Sequence, residues 1–481
     1  MGWAGLRRKH VTPSPACIFG IGAASTPVID QAVNRDLSTA SVSSAPIVGH
    51  RVTLGAGSRY GDVMATKLGF NATWSMAVGG MVGGGIFSTL GVVIGIAGAW
   101  AWLSFVAAGL VALTAGYSYA KLTDRYGKGG GAFAFLREIH RDGLAGSVSW
   151  VLIVGYVLTN AVYAFTFGTY FGHVVGLGPW FARAAAIAIV TLFVALNLRG
   201  VAAAGTVEVV LVWAKLAVLV GLAAFGLARW QPEMLSQGAT HAGIGAALSG
   251  GASVFMAYEG FQLLTYDYDD IERPKVILPR AIVSAIVAVI AVYVAVAIGT
   301  PMLIGAGQII ANQEVALAVA GREAAGIGGL VLVTIAAAFS TGSAINSTIF
   351  ATARLSHQVA EGGELPPWLD HLNASRVPDR AVLVLGTSAA LLAAVGSLSA
   401  LVEAASLAFL GTFAVVCWLA FRARAGSRIF TGLGAIGAMA SALALVYRLA
   451  LHQPVALAAL GALVAFAVVG RPIILRRVRA E

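Results

Sequence analysis

Three places in this chain have residue types and spacing that could do chemistry. The first is Gly79-Gly80-Met81-Val82-Gly83-Gly84-Gly85-Ile86-Phe87, with five glycines in seven positions. Each glycine costs a helix about 1 kcal/mol relative to alanine, so a helix here is expected to break. The N–H groups that open the next half-helix, at its positive dipole end, would suit a carboxylate. Close helix packing on small residues is the alternative reading. The second place is Phe255-Met256-Ala257-Tyr258-Glu259-Gly260-Phe261-Gln262, a glycine beside a carboxylate within an apolar stretch. Unwound carbonyls there would suit an ammonium group, with Glu259 adding charge. The bland alternative is a glutamate in a wet vestibule. The third is Lys215, about ten residues past Gly205 and so roughly 15 Å along a helix. A charge at that depth costs at least about 2.5–3.5 kcal/mol, so it must find partners or give up its proton. It is either a structural lysine bonded to carbonyls or a working protonatable cation.

The elements that must position these residues are apolar. Of 481 residues, 58% are apolar and 11% charged, whereas soluble domains run near 45–50% and 25%. Twelve spans of about 20 residues would use roughly 240 positions. A soluble enzyme, a disordered chain and a disulfide scaffold are therefore excluded. Cys17 and Cys417 are too few for a disulfide framework or a thiolate metal site. The net charge of +10 is dispersed, which argues against nucleic acid. No cofactor is expected, and no nucleophile–base or metal set falls at membrane depth.

Twelve apolar stretches come after a Ser-, Ala-, Gly- and Pro-rich beginning: about 72–97, 99–122, 146–172, 180–197, 204–228, 244–266, 278–303, 326–356, 380–396, 399–421, 429–449 and 454–470. With the N-terminus inside, 26 Lys and Arg fall on inner segments and four on outer ones, so both termini are expected in the cytoplasm. The expected organisation is a disordered cytoplasmic tail over 1–65, a transport core over 66–425, two further helices over 426–472 and a basic cytoplasmic tail over 473–481. Glycine-interrupted helices at matching places in two halves point to a transporter site near the bilayer midplane. Here the interrupted stretches are the first and sixth, as in a five-plus-five inverted repeat. The fold class expected is an all-α polytopic membrane protein of twelve transmembrane helices, LeuT-like, with two extra C-terminal helices. Glu208 is placed at the inner mouth, and Glu403 and Arg183 at outer interfaces. Asn160 and Tyr163 either line the cavity or pack.

The motifs also resemble a known family. Gly83-Gly84-Gly85-Ile86-Phe87 is similar to the Gly-Ser/Thr-Gly-Ile-Phe signature of the amino acid–polyamine–organocation transporters. Phe255 to Gln262, with Glu272-Arg273-Pro274 and Leu278-Pro279-Arg280, resembles that family's sixth helix and the loop after it. Ser340 to Ser347 with Ala353-Arg354 resembles its eighth helix, and Gly362-Glu364-Leu365-Pro366 the next loop. The likeness runs in order from about 70 to 425.

The resemblance implies that amides around Gly83, Gly84 and Gly85 hold a substrate carboxylate. Carbonyls near Met81, Met256, Ala257 and Glu259 would hold its amino group, with Met256 at an outer-gate position. Val212-Trp213-Ala214-Lys215-Leu216 matches the family's proton-coupled branch, which implies a proton-coupling set of Lys215, Ser340 and Thr341, with carbonyls near Gly79 and Gly80 as further contacts of the lysine. Four departures stand out. Gly84 replaces a hydroxyl residue, Gln262 an acid and Lys121 an acid, and the proline before Gly129-Gly130 is missing. The function implied is a secondary active carrier importing neutral amino acids with protons through the cell membrane, its partners being the amino acid, the proton and the lipid bilayer. Rival readings are a cationic amino acid or polyamine carrier or exchanger, with Glu259 as counter-charge, and a non-transporting membrane sensor of amino acids.

Overall fold

A computed structural model describes residues 67–200, 205–239 and 242–471. The expected tails over 1–65 and 473–481 lie outside the described residues. Among the described residues every regular element is a helix, and the only pairing of extended backbone is one bridge between Leu68 and Ile271. The helices are α1 (Phe70–Met81), α2 (Gly85–Ala97), α3 (Ala101–Tyr126), α4 (Gly131–Glu138), α5 (Asp142–Val175), α6 (Gly178–Leu198) and α7 (Gly205–Ala228). They continue as α8 (Ala246–Ser253), α9 (Pro274–Ala311), α10 (Ala316–Glu361), α11 (Asp379–Val395), α12 (Leu398–Arg422), α13 (Arg428–His452) and α14 (Pro454–Ala465). Among the described residues, eight helical runs are long and apolar enough to cross a membrane. Bare side chains such as Leu192, Leu332, Ile429 and Ile436 cover their outer faces, as lipid contact requires.

Two of the longest helices bend where glycine permits it. Gly305 in α9 takes φ 76° and ψ 151°, and Ala325-Gly326 interrupts α10. These points agree with the ends of the apolar stretches, because the flanking residues turn polar and the backbone leaves the helix. α3, α5, α9, α10 and α12 surround the first and sixth stretches, and the residues about the two interruptions, 81–94 and 250–262, are all buried.

The structure corrects one expectation. Glu403, expected at an outer interface, has a buried side chain. Arg448 on α13 donates from Nε to Glu403 Oε1 at 3.0 Å, so the partner that allows burial comes from the next helix. Arg183 is exposed, with its guanidinium over the Trp180 ring.

Candidate functional site

The first break is short. α1 stops at Met81, Val82 to Gly84 form a turn, and α2 begins at Gly85. Gly84 caps α2 without any side-chain hydrogen bond, so the first N–H groups of α2 lack side-chain partners from the cap. The second break is longer. α8 ends at Ser253, a 3₁₀ turn covers Phe255–Tyr258, Glu259 is extended, and Gly260 takes φ 123°. Beyond Gly260 the chain forms 3₁₀ turns over Phe261–Thr265 and Tyr268–Asp270 rather than a second α-helix. Ahead of α1 and beyond the second break, Leu68 N–H donates to the Asp270 carbonyl at 2.8 Å and Glu272 N–H to the Leu68 carbonyl at 2.9 Å.

The two breaks touch through glycine. A Cβ on Gly80 would sit 2.9 Å from the Gly260 Cα, and one on Gly260 would sit 2.7 Å from the Gly80 Cα. Only hydrogen at both positions allows the backbones to cross so closely. Gly84 is explained in the same way: a methyl there would run into the Tyr163 ring. The hydroxyl residue common at this position has no room, and an aromatic ring takes its place.

Hydroxyls from surrounding helices satisfy the carbonyls that the breaks free. The Tyr293 hydroxyl lies 2.7 Å from the Met81 carbonyl and 3.0 Å from the Ala257 carbonyl, one from each break. Ser340 donates to the Val82 carbonyl at 2.6 Å. Ser406 donates to the Ser253 carbonyl at 2.8 Å and accepts from Met256 N–H at 3.0 Å, closing the end of α8. The Tyr163 hydroxyl is 3.4 Å from Glu259 Oε2 and 3.5 Å from the Gly80 carbonyl. Asn160 instead donates within its own helix, to the Tyr156 carbonyl, and its Oδ1 is buried without a partner.

Glu259 is 1% exposed. Gln262 Nε2 donates to Glu259 Oε1 at 3.1 Å, and Gln262 Oε1 accepts from Gly260 N–H at 3.0 Å. Among the described residues no cation pairs with Glu259. Gln262, which stands where an acid is common, therefore acts as the clamp on the second break.

Lys215 is 3% exposed and donates to the Gly79 carbonyl at 3.2 Å. The three residues grouped for proton coupling do not meet at one point. Lys215 and Ser340 hold carbonyls three residues apart, Gly79 and Val82, while Thr341 bonds back to Ala337 in its own helix. Glu208 is closer to this point than its axial spacing suggests. Its carboxylate lies against Gly79, where a Cβ would strike Oε1, and Oε2 accepts from Ser343 at 2.5 Å.

Sequence reasoning missed Tyr293 and Ser406, whose partners are main-chain carbonyls on distant helices. Their only signal is polar atoms in apolar helices. Among the described residues, no group of three His, Cys, Asp or Glu could hold a metal.

The family sequence model described as amino acid permease matches residues 68–474, across both breaks and the helices that clamp them. The chain belongs to the amino acid permease family. This permease is accordingly a multi-pass membrane transporter of amino acids and not an enzyme. It is similar to an uncharacterized protein of Methanocaldococcus jannaschii, 35% identical over 308 residues, which cover 63% of this chain and 71% of that one. It is similar to the inner membrane transport protein YbaT of Escherichia coli, 31% identical over 73% of this chain and 82% of the relative. The serine/threonine exchanger SteT of Bacillus subtilis is 23% identical over 62% and 69% of the two chains.

Below the second break, Arg354 donates to Asp267 Oδ1 at 3.3 Å. Burial nevertheless raises the Asp267 carboxyl from its ordinary 3.8 to about 6, the nearby Arg354 opposing the rise. The folded protein then holds a proton that the unfolded chain has released between about pH 4 and 6, so this group's contribution to stability falls as pH rises through that window. Asp267→Asn should remove this part of the slope of the unfolding midpoint, measured in detergent across pH 4–7. An unaltered slope would contradict the assignment.

Proposed function

We propose that this permease imports neutral amino acids with protons across the cell membrane, with both termini cytoplasmic. The twelve apolar stretches are read as twelve spans, the first ten forming two five-helix halves of opposite topology in a LeuT-like arrangement. The observation that carries the reading is the contact of the two breaks through Gly80 and Gly260, with the Met81 and Ala257 carbonyls turned to a single hydroxyl. An ammonium group is a stronger donor to such carbonyls than a phenol. The substrate's amino group would replace the Tyr293 hydroxyl there, with the Met256 and Glu259 carbonyls alongside, while its carboxylate meets the amides of Gly83, Gly84 and Gly85 at the start of α2. Loaded from outside, the group formed by α1, α2, α3, the broken α8 segment and α9 would rock against the rest.

Lys215 supports the coupling. A protonated amine on the Gly79 carbonyl ties α7 to the end of α1, and Ser340 ties α10 to the same end. Deprotonation weakens the first tie and frees the helices for return. The serine/threonine exchange in SteT's name agrees with a small neutral substrate.

A second reading rests on Glu259, a buried acid with no cation among the described residues. It would favour a cationic amino acid or polyamine as substrate. Labelled alanine uptake into proteoliposomes, with and without an imposed pH gradient, separates the two. Gradient-dependent accumulation resisted by neither arginine nor putrescine is expected. Strong competition by both, or accumulation indifferent to the gradient, would overturn the reading.

A further inference from the structure

Glu208 is left without a task by the reading above. It lies on the same face of α7 as Lys215, because seven residues fall only about 20° short of two helical turns. Both side chains reach one residue of α1: the Glu208 carboxylate packs on the Cα side of Gly79, and Lys215 donates to the Gly79 carbonyl. A side chain at position 79 would strike Glu208 Oε1 and crowd Val212. Ser343 occupies Oε2, which leaves Oε1 on the Gly79 side. Glu208 is half-buried in the first turn of α7, so it stands between the enclosed lysine and the end of the helix read as inner.

We propose that Glu208 accepts the proton that Lys215 releases and passes it to the inner aqueous phase. This rests on the proton-coupled reading of Lys215. In the step the Nζ–H bond of the Lys215 ammonium breaks and an O–H bond forms on Glu208 Oε1 through an intervening water, which takes up the first proton as it gives up another. A neutral amine and a carboxylic acid result, so total charge is conserved, and the acid then ionises to water inside. The other buried acid near the end of α1, Glu259, is engaged by Gln262 and Tyr163. α1 carries no titratable side chain, and α9 offers only Tyr293 between Arg280 and Ala311. On α10, Arg354 is paired with Asp267, His357 with Glu361, and Glu323 with Arg229, while Arg322 lies near the opposite end of that helix. Among the described residues no ion pair engages Glu208 itself, so its carboxylate is free to take a proton.

The test uses the full chain in proteoliposomes, comparing net gradient-driven uptake of labelled alanine with alanine–alanine exchange, which needs no net proton release. Glu208→Gln keeps an acceptor for Ser343 but loses the relay. Net uptake should fall about ten-fold or more, with exchange falling less than about three-fold. Formate loaded inside the vesicles should restore net uptake, and the dependence on internal pH should flatten. Glu208→Asp, which keeps an acid, should retain more net uptake than Glu208→Gln. The proposal is overturned if Glu208→Gln keeps the wild-type rate and internal-pH dependence, if net uptake and exchange fall together without rescue, or if Asp and Gln lose net uptake equally. Gradient-driven accumulation surviving in Lys215→Ala would sink the reading of Lys215 itself, which a separate variant reports.

Discussion

Gly260→Ala should abolish uptake while leaving the protein in the membrane. At φ 123° the backbone occupies a region that side chains avoid, at about 1–3 kcal/mol. The added methyl would lie 2.5 Å from the Gly80 carbonyl carbon and 2.8 Å from the Met81 nitrogen. Those are backbone atoms, which cannot swing aside, and overpacking of this kind costs about 1–3 kcal/mol more. The cheapest relief is separation of the two breaks, which would pull the Met81 and Ala257 carbonyls away from the Tyr293 hydroxyl. Uptake of labelled amino acid, normalised to surface protein, should drop by about two orders of magnitude for a loss of some 3 kcal/mol. Gly411→Ala, at a position with open space around it, is the control expected to retain uptake. Wild-type uptake by Gly260→Ala would mean that the crossing does not shape the site.

Lys215→Ala should have an effect of similar size on a different quantity. The amine is enclosed, and its bond to Gly79 joins α7 to the end of α1 just before the first break. Without it that link is absent at every pH, so protonation no longer changes the contact between the helices. Accumulation of substrate above equilibrium should vanish, while downhill exchange persists at a reduced rate. Uptake measured across imposed gradients at fixed external pH decides this, and gradient dependence equal to wild type would remove Lys215 from the coupling.

Both breaks are legible in the sequence because glycine clusters and a midspan acid are expensive in an apolar helix, so their presence needs a reason. Lys215 is legible on the same ground. The side chains that hold the breaks in shape are not. A tyrosine or serine in an apolar helix costs little wherever it points, and only tertiary crossing brings Tyr293 to Met81 and Ala257, or Ser406 to the end of α8. Glu403 illustrates the limit from the other side, since its burial depends on Arg448, 45 residues later. Glu208 escapes because distance along α7 says nothing about a neighbouring helix that offers a bare Gly79 to both side chains. The 3₁₀ character after Gly260 also escapes pattern reading, because short apolar runs look alike in either helix.

The most direct measurement is a structure of the protein with an amino acid bound. The account predicts the carboxylate on the amides of Gly83 to Gly85 and the amino group on the Met81 and Ala257 carbonyls, with the Tyr293 hydroxyl displaced. An amino acid seated elsewhere, or held by side-chain charges with Tyr293 still bridging the two carbonyls, would contradict it.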